Sequence, residues 1–190
     1  MIRFITKSYK TTGEFLPDFG GVYGSSGKAY GWSKDISTRF KYSENSAPNT
    51  PMLETSVHFP PSPLSKYCKK EIPDNICDKV DWSVKVGEGK FVIKLYYGDI
   101  LVNSKIDLSI NGESVVSKVI EKGKLEMFEK VVESVQSFIS ISSNCEKDCD
   151  FSMAKLNAVE LVPYEETVVS EKDVQELEVG CGGSVTKGNL

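Results

Sequence analysis

Along most of this chain, hydrophobic and polar positions alternate with a period of two. Trp82, Val84 and Val86 alternate with Ser83 and Lys85, Ile106, Leu108 and Ile110 alternate with Asp107 and Ser109, and Phe138 to Ser142 mixes a ring and β-branched residues with serines. Successive side chains of a strand point to opposite faces, so this pattern predicts half-buried strands. From Phe91 to Tyr97 the second phase is also largely apolar, with Val92 and Tyr96 flanking Lys94. That segment reads as a strand buried nearly on both sides, at the centre of a sheet. Strands near Arg3–Lys7, Thr55–Phe59, Ser114–Val119, Leu125–Val132 and Lys155–Val162 bring the expected number to eight or nine. Gly87-Glu88-Gly89 is expected to join the Trp82 and Phe91 strands as a tight hairpin. Asn111-Gly112, where both residue types tolerate positive φ, predicts a second. With no helix-period segment before the C-terminal tail, the expected fold is all-β: a jelly-roll-like antiparallel β-sandwich with long N-terminal loops. Residues 33–54 and 60–79 read as strandless, and loops of that length inside a domain are usually functional or stapled.

The N-terminal block breaks the alternation. Gly13-Glu-Phe-Leu-Pro-Asp-Phe-Gly-Gly-Val-Tyr-Gly24, then Tyr30-Gly31-Trp32 and Arg39, interleave rings and glycines around one buried-looking carboxylate, Asp18. Together with Trp82 before the Gly87 turn, the Phe91 strand ending in Gly98-Asp99, and Ile110-Asn-Gly112, this order of motifs resembles the malectin and galactose-binding-domain-like β-sandwiches. The resemblance covers roughly residues 3–163. It implies a jelly-roll sandwich that binds carbohydrate or a protein partner without catalysis, in domains appended to secreted and cell-surface proteins and to carbohydrate-active enzymes. The Pro60–Val80 insertion and the acidic tail depart from that pattern, which leaves the ligand less defined than the fold.

Charge sharpens the domain boundaries. Of 23 Lys and Arg and 27 Asp and Glu, only 2 and 6 lie in residues 164–190, which leaves a neutral body with 21 of each. Residues 1–163 are therefore expected to form the sandwich and 164–190 an acidic tail or linker, the other reading being a last strand at Thr167–Val169. A neutral body without a basic stripe argues against nucleic acid and anionic membrane as partners. The Lys66 to Lys70 run, interrupted by Tyr67 and Cys68, reads as a solvated loop. The start lacks the apolar core of a signal peptide, and no 18-residue apolar run is long enough to span a membrane.

Cysteine usage points to an oxidising compartment. Cys68/Cys77 and Cys145/Cys149 sit as close pairs in polar, turn-like stretches, and Cys181 stands alone. Disulfides within each pair are the favoured reading; free thiols and a four-thiolate zinc site are the alternatives, the latter poorly matched by x8 and x3 spacings. The expectation is a fragment of a longer secreted protein, with the partner of Cys181 beyond Leu190 or in another chain.

Chemistry is sparse. His58, the single histidine, falls on the polar phase between Val57 and Phe59 and is expected on the surface. Nucleophilic hydrolysis has no visible base and no Gly-x-Ser-x-Gly turn, and no glycine-rich phosphate loop opens a helix. Asp18, Asp35, Asp81 and Asp99 are formal candidates for a carboxylate pair, but a pair must face each other across a cleft. The chain is therefore expected to be a binding module and not an enzyme. No cofactor is expected, with a structural calcium ion left open.

A sugar site needs a ring platform for the apolar C–H face and polar groups at its rim. Tyr23, Tyr30, Trp32, Arg39 and Asp99 are the candidates. The competing reading makes Tyr23 and Trp32 core residues, has Asp18 accept backbone N–H groups of the Gly20-Gly21 turn, and pairs Arg39 with Asp99 as a buried ion pair. Exposure of Tyr30 and Trp32 in a groove favours the first reading, and their burial weighs against it.

Overall fold

The computed structural model describes residues 1–4, 15–25, 27–37, 40–42, 55–59, 79–144 and 155–166. All five cysteines, Arg39, the Lys66 to Lys70 run and the segment Thr167–Val169 lie outside the described residues, as does the side chain of His58. The strands in chain order are β1 (Ile2–Phe4), β2 (Leu16–Asp18), β3 (Tyr30–Trp32), β4 (Phe40–Tyr42), β5 (Thr55–His58), β6 (Asp81–Lys85), β7 (Lys90–Asp99), β8 (Ser104–Ile110), β9 (Glu113–Ile120), β10 (Lys124–Glu133), β11 (Phe138–Ser143), β12 (Lys155–Leu156) and β13 (Ala158–Pro163). They form a five-stranded sheet ordered β10-β7-β13-β1-β2, a second ordered β3-β6-β11-β8-β9, and a small third sheet, β12-β5-β4. The pairings are antiparallel except β1 with β2, which run parallel. The all-β sandwich expected from the alternation is the fold observed.

The alternating positions make the core. Trp82 and Val84 of β6, Ile93, Leu95 and Tyr97 of β7, Ile106, Leu108 and Ile110 of β8, and Ile139 and Ile141 of β11 are buried between the two large sheets. Burying side chains of this size stabilises by about 1.5–3 kcal/mol each, which is why the register of these strands is tightly specified. The opposite phase of β7, Val92, Lys94 and Tyr96, is half-buried, so this strand is internal to its sheet but has one true core face.

Four expectations need correction. The Gly87–Gly89 turn does not close a hairpin: β6 belongs to one sheet and β7 to the other, so this turn carries the chain across the sandwich. Both glycines have positive φ, 107° and 123°, and the turn is held by Val86 N–H on the Ser137 carbonyl at 2.9 Å and Ser134 N–H on the Gly89 carbonyl at 2.9 Å. Alternation reveals a strand but not its partner. Second, residues 33–54 contain β4. Third, the N-terminal block contributes β2 and β3, three residues each, too short to show a period. Fourth, the expected strand over Lys155–Val162 is two strands. Asn157 divides it, sending β12 to the small sheet and β13 between β1 and β7. The fully buried Asn157 makes this split possible, because its Nδ2 donates to the Thr55 carbonyl at 2.8 Å while its backbone bonds Tyr96 and Phe4.

The Asn111-Gly112 turn is the hairpin its sequence predicts, joining β8 to β9 with φ of 51° and 82°. The Asn111 side chain also accepts from Ser140 N–H and donates to the Glu133 carbonyl, both at 2.9 Å, so the turn ties β10 and β11 together as well. At the open side of the sandwich, Lys118 pairs with Glu126 and Lys130 with Glu113, linking edge strand β9 to edge strand β10. Charged residues at an edge also discourage pairing with another chain.

Candidate functional site

The N-terminal block folds around Asp18. Asp18 closes β2, the edge strand of its sheet, and its side chain is buried. Its Oδ1 accepts the Gly20 N–H at 2.7 Å and the Trp32 indole N–H at 3.2 Å, and its Oδ2 accepts the Trp82 indole N–H at 2.8 Å. Trp32 of β3 and Trp82 of β6 are direct cross-strand partners, which is why both indoles reach one carboxylate. Phe4 packs against both indoles, its ring centre 5.7 Å from that of Trp32 and 5.8 Å from that of Trp82, and Phe59 packs on Trp32 at 5.1 Å. Burial pushes the Asp18 carboxyl up, and the three N–H donors and the nearby Lys28 charge only partly oppose it.

After β2 the chain turns back on itself. Trp32 N–H bonds the Gly21 carbonyl at 3.1 Å, and Tyr23 N–H bonds the Trp32 carbonyl at 2.8 Å. Between them Gly31 lies beneath the Tyr23 backbone. A Cβ at Gly31 would stand 2.7 Å from Tyr23 Cα and 2.8 Å from Tyr23 N, and its φ of 156° is one that L side chains rarely adopt. Gly31→Ala is therefore expected to destabilise by about 2–3 kcal/mol, the usual cost of overpacking where backbone cannot yield. A melting curve matching wild type would refute this contact.

Over this turn lies a depression of about 300 Å³, lined by Phe19, Gly21, Val22, Ser25, Lys28 and Tyr30 with Asp18 at its back. The Lys28 ammonium donates to the Pro17 carbonyl at 2.6 Å, 5.1 Å from the Phe19 ring centre and 5.2 Å from that of Tyr30. The Tyr30 hydroxyl donates to the same carbonyl at 2.9 Å. Burial, and then the Asp18 charge, push that hydroxyl up to about 12, so it stays protonated.

The sequence candidates are scattered by this geometry. Tyr30 is a pocket wall, although only 7% exposed. Trp32 is fully buried among Phe4, Phe59 and Asp18 and has no open ring face, which corrects its role as a stacking platform. Tyr23 is half-buried beside the pocket, edge-on to the Phe138 ring at 5.6 Å. Asp99 ends β7 away from the pocket lining. Its Oδ2 pairs with the fully buried Lys155, and its Oδ1 accepts the N–H groups of Leu101 at 2.7 Å and Val102 at 3.1 Å. The described counter-ion of Asp99 is Lys155, while Arg39, expected there from the sequence, lies outside the described residues. The Asp18 turn, by contrast, is built as the core reading expected, with the two indoles as additional donors. Phe19, Val22 and Lys28 escaped the sequence reading; their signal was position, each lying within four residues of Asp18 or Tyr30 in the glycine-rich block. Among the described residues no group of three or more His, Cys, Asp or Glu stands together as a metal site, and no helix is long and apolar enough to cross a membrane.

No family model matches the chain, and no curated protein matches it. Solved structures do. It is similar to β-glucuronidase 2 of Bacteroides uniformis, with a TM-score of 0.50 and 17% identity over 80% of this chain and 15% of the enzyme. It is similar to the YxiM protein of Bacillus subtilis, with a TM-score of 0.52 and 14% identity over 89% of this chain and 41% of that one. It is also similar to a chain in the plant complex of peptide RALF23 with FER and LLG2, with a TM-score of 0.54 and 13% identity over 89% and 41%. The likeness is one of fold: the chain is a β-sandwich, the architecture that the malectin-like, galactose-binding-domain-like resemblance implied. It spans under half the length of these chains, and in the glucuronidase it matches only a small part of the enzyme.

Proposed function

We propose that this chain is a non-catalytic binding module of a larger extracellular protein and that it binds carbohydrate in the Phe19–Tyr30 depression. The observation that carries this reading is the depression itself: two aromatic side chains, an aliphatic wall at Val22 and a fixed ammonium converge on a concave site of saccharide size beside edge strands β2 and β3. Small-ligand sites are built in this way, from apolar walls with a few placed polar groups. The likeness to one small part of a glycosidase supports it. Residues 1–163 form the module in this proposal, 164–190 a connecting tail, and Cys68–Cys77 and Cys145–Cys149 its staples. Of the original candidates Tyr30 remains central, with Tyr23 half-buried nearby.

Titration with neutral and acidic oligosaccharides, followed by tryptophan fluorescence or calorimetry, tests the proposal. Binding in the millimolar to micromolar range is expected, lost in Phe19→Ala with the melting temperature retained. No response to any saccharide, with the fold intact by circular dichroism, overturns it. A second reading, a protein-interaction module, is favoured by the burial of Trp32 and Tyr30 and by the exposed apolar residues Leu101, Val102 and Val119. Saccharide-independent capture of a surface protein, abolished by Leu101→Asp, is the result that selects it.

A further inference from the structure

We infer that the depression selects anionic saccharides, those carrying a carboxylate or sulfate, and that Lys28 is the residue that selects them; this rests on the carbohydrate reading of the same site. Lys28 is a half-buried cation whose hydrogen bond is to a neutral acceptor, the Pro17 carbonyl, and among the described residues no carboxylate lies within ion-pair distance of it. An ammonium carries three N–H donors, and Pro17 takes one. The carbonyl and the rings of Phe19 and Tyr30 hold the head group in place, so a ligand meets a pre-positioned charge and little side-chain freedom is lost on binding.

Asp18 does not cancel this demand. Its oxygens are directed at the two indoles and the Gly20 N–H, at the back of the site, and not at Lys28. A ligand carboxylate entering from the open side meets the ammonium first, while Asp18 stays screened by its three donors. Val22 and the Phe19 ring then receive the apolar face of the sugar ring, which stacking requires. Ser25 offers an anion no donor, since its hydroxyl proton goes to the Val22 carbonyl at 2.6 Å. An anion is therefore what the pocket lacks, and an apolar wall beside it is what makes the anion a saccharide substituent instead of a free ion.

The test compares oligogalacturonate with neutral galactose oligomers of equal length, and a sulfated galactan fragment as a second anion, on wild type, Lys28→Gln and Lys28→Arg. The anionic ligands are expected to bind about ten-fold more tightly than the neutral ones, from one partly desolvated charge pair. That preference should shrink as salt is raised, disappear in Lys28→Gln and persist in Lys28→Arg. Equal or tighter binding of the neutral oligomers, or a preference for anions unchanged in Lys28→Gln, overturns the inference and leaves the carbohydrate reading standing. No binding of any of the three, with the circular dichroism of the folded chain retained, overturns both.

Discussion

Lys155→Met is expected to lower stability by about 3–5 kcal/mol, because it leaves the Asp99 carboxylate without its counter-ion at the end of a core strand. Lys155 is one of the largest fully buried side chains, and its ammonium bonds Asp99 directly. For a chain of this size each kcal/mol shifts the melting temperature by about 2–4 °C, so the fall should be roughly 10 °C. The double variant Lys155→Met/Asp99→Leu should recover much of the loss, since an apolar pair of similar volume often replaces a buried ion pair without penalty. Acid provides an independent check. Burial alone would push the Asp99 carboxyl up, but the Lys155 hydrogen bond, the Leu101 and Val102 N–H groups and the Lys155 charge together hold it below its ordinary value of 3.8. A lowered folded value means that the stabilisation is present above the unfolded value and lost as pH falls through the folded one. Stability curves of wild type and Lys155→Met should thus be far apart at neutral pH and converge below the ordinary carboxylate range. Parallel curves, or a melting temperature unchanged by the substitution, would contradict the pairing.

The second large effect is expected at Asp18. Asp18→Ala leaves two indole N–H groups and one backbone N–H without an acceptor in the core, each costing about 1–3 kcal/mol. A loss of about 4 kcal/mol follows, enough to unfold a marginal domain. Asp18→Asn should cost less, about 2–3 kcal/mol, because its oxygen still accepts while its amide N–H₂ opposes one indole. The pH dependence runs opposite to that of Asp99. The Asp18 carboxyl is raised above 3.8, chiefly by burial, so its contribution is full below the unfolded value and declines as pH rises through the folded value. Since both tryptophans bond this carboxylate, their fluorescence should report its protonation as a step on the alkaline side of the ordinary carboxylate range. Asp18→Asn should abolish that step. A step that survives in the variant would show that the tryptophans report another group.

Most of the strands were legible from alternation alone, because burial of one face imposes a period of two on any strand long enough to show it. β6 to β11 are such strands. β2, β3 and β4, three residues each, are too short for a period, and β2 contains Pro17, which removes an N–H. The split at Asn157 was equally hidden: Leu156, Asn157 and Ala158 read as one run, and only the passage of the chain from the small sheet into the first large sheet at Asn157 separates them.

The candidate site was legible as a region and not as a set of residues. Glycines at close backbone approaches, such as Gly31 under Tyr23, marked the block as special because only glycine fits there. Ring residues in that block carry no sign of whether they face solvent or core. Trp32 became core because its strand pairs with β6 and aligns its indole with that of Trp82 over Asp18, a contact spanning 64 residues. Asp99 found Lys155, 56 residues away, for the same kind of reason. By itself the sequence determined fold class, the long strands and the Asn111-Gly112 turn, all of which depend on local pattern and composition. Sheet partners, the counter-ion of Asp99, the burial of Trp32 and the convergence of Phe19, Val22 and Lys28 were decided by the tertiary structure. Those depend on which distant strand each segment meets, and that choice is made by the packing of the whole core.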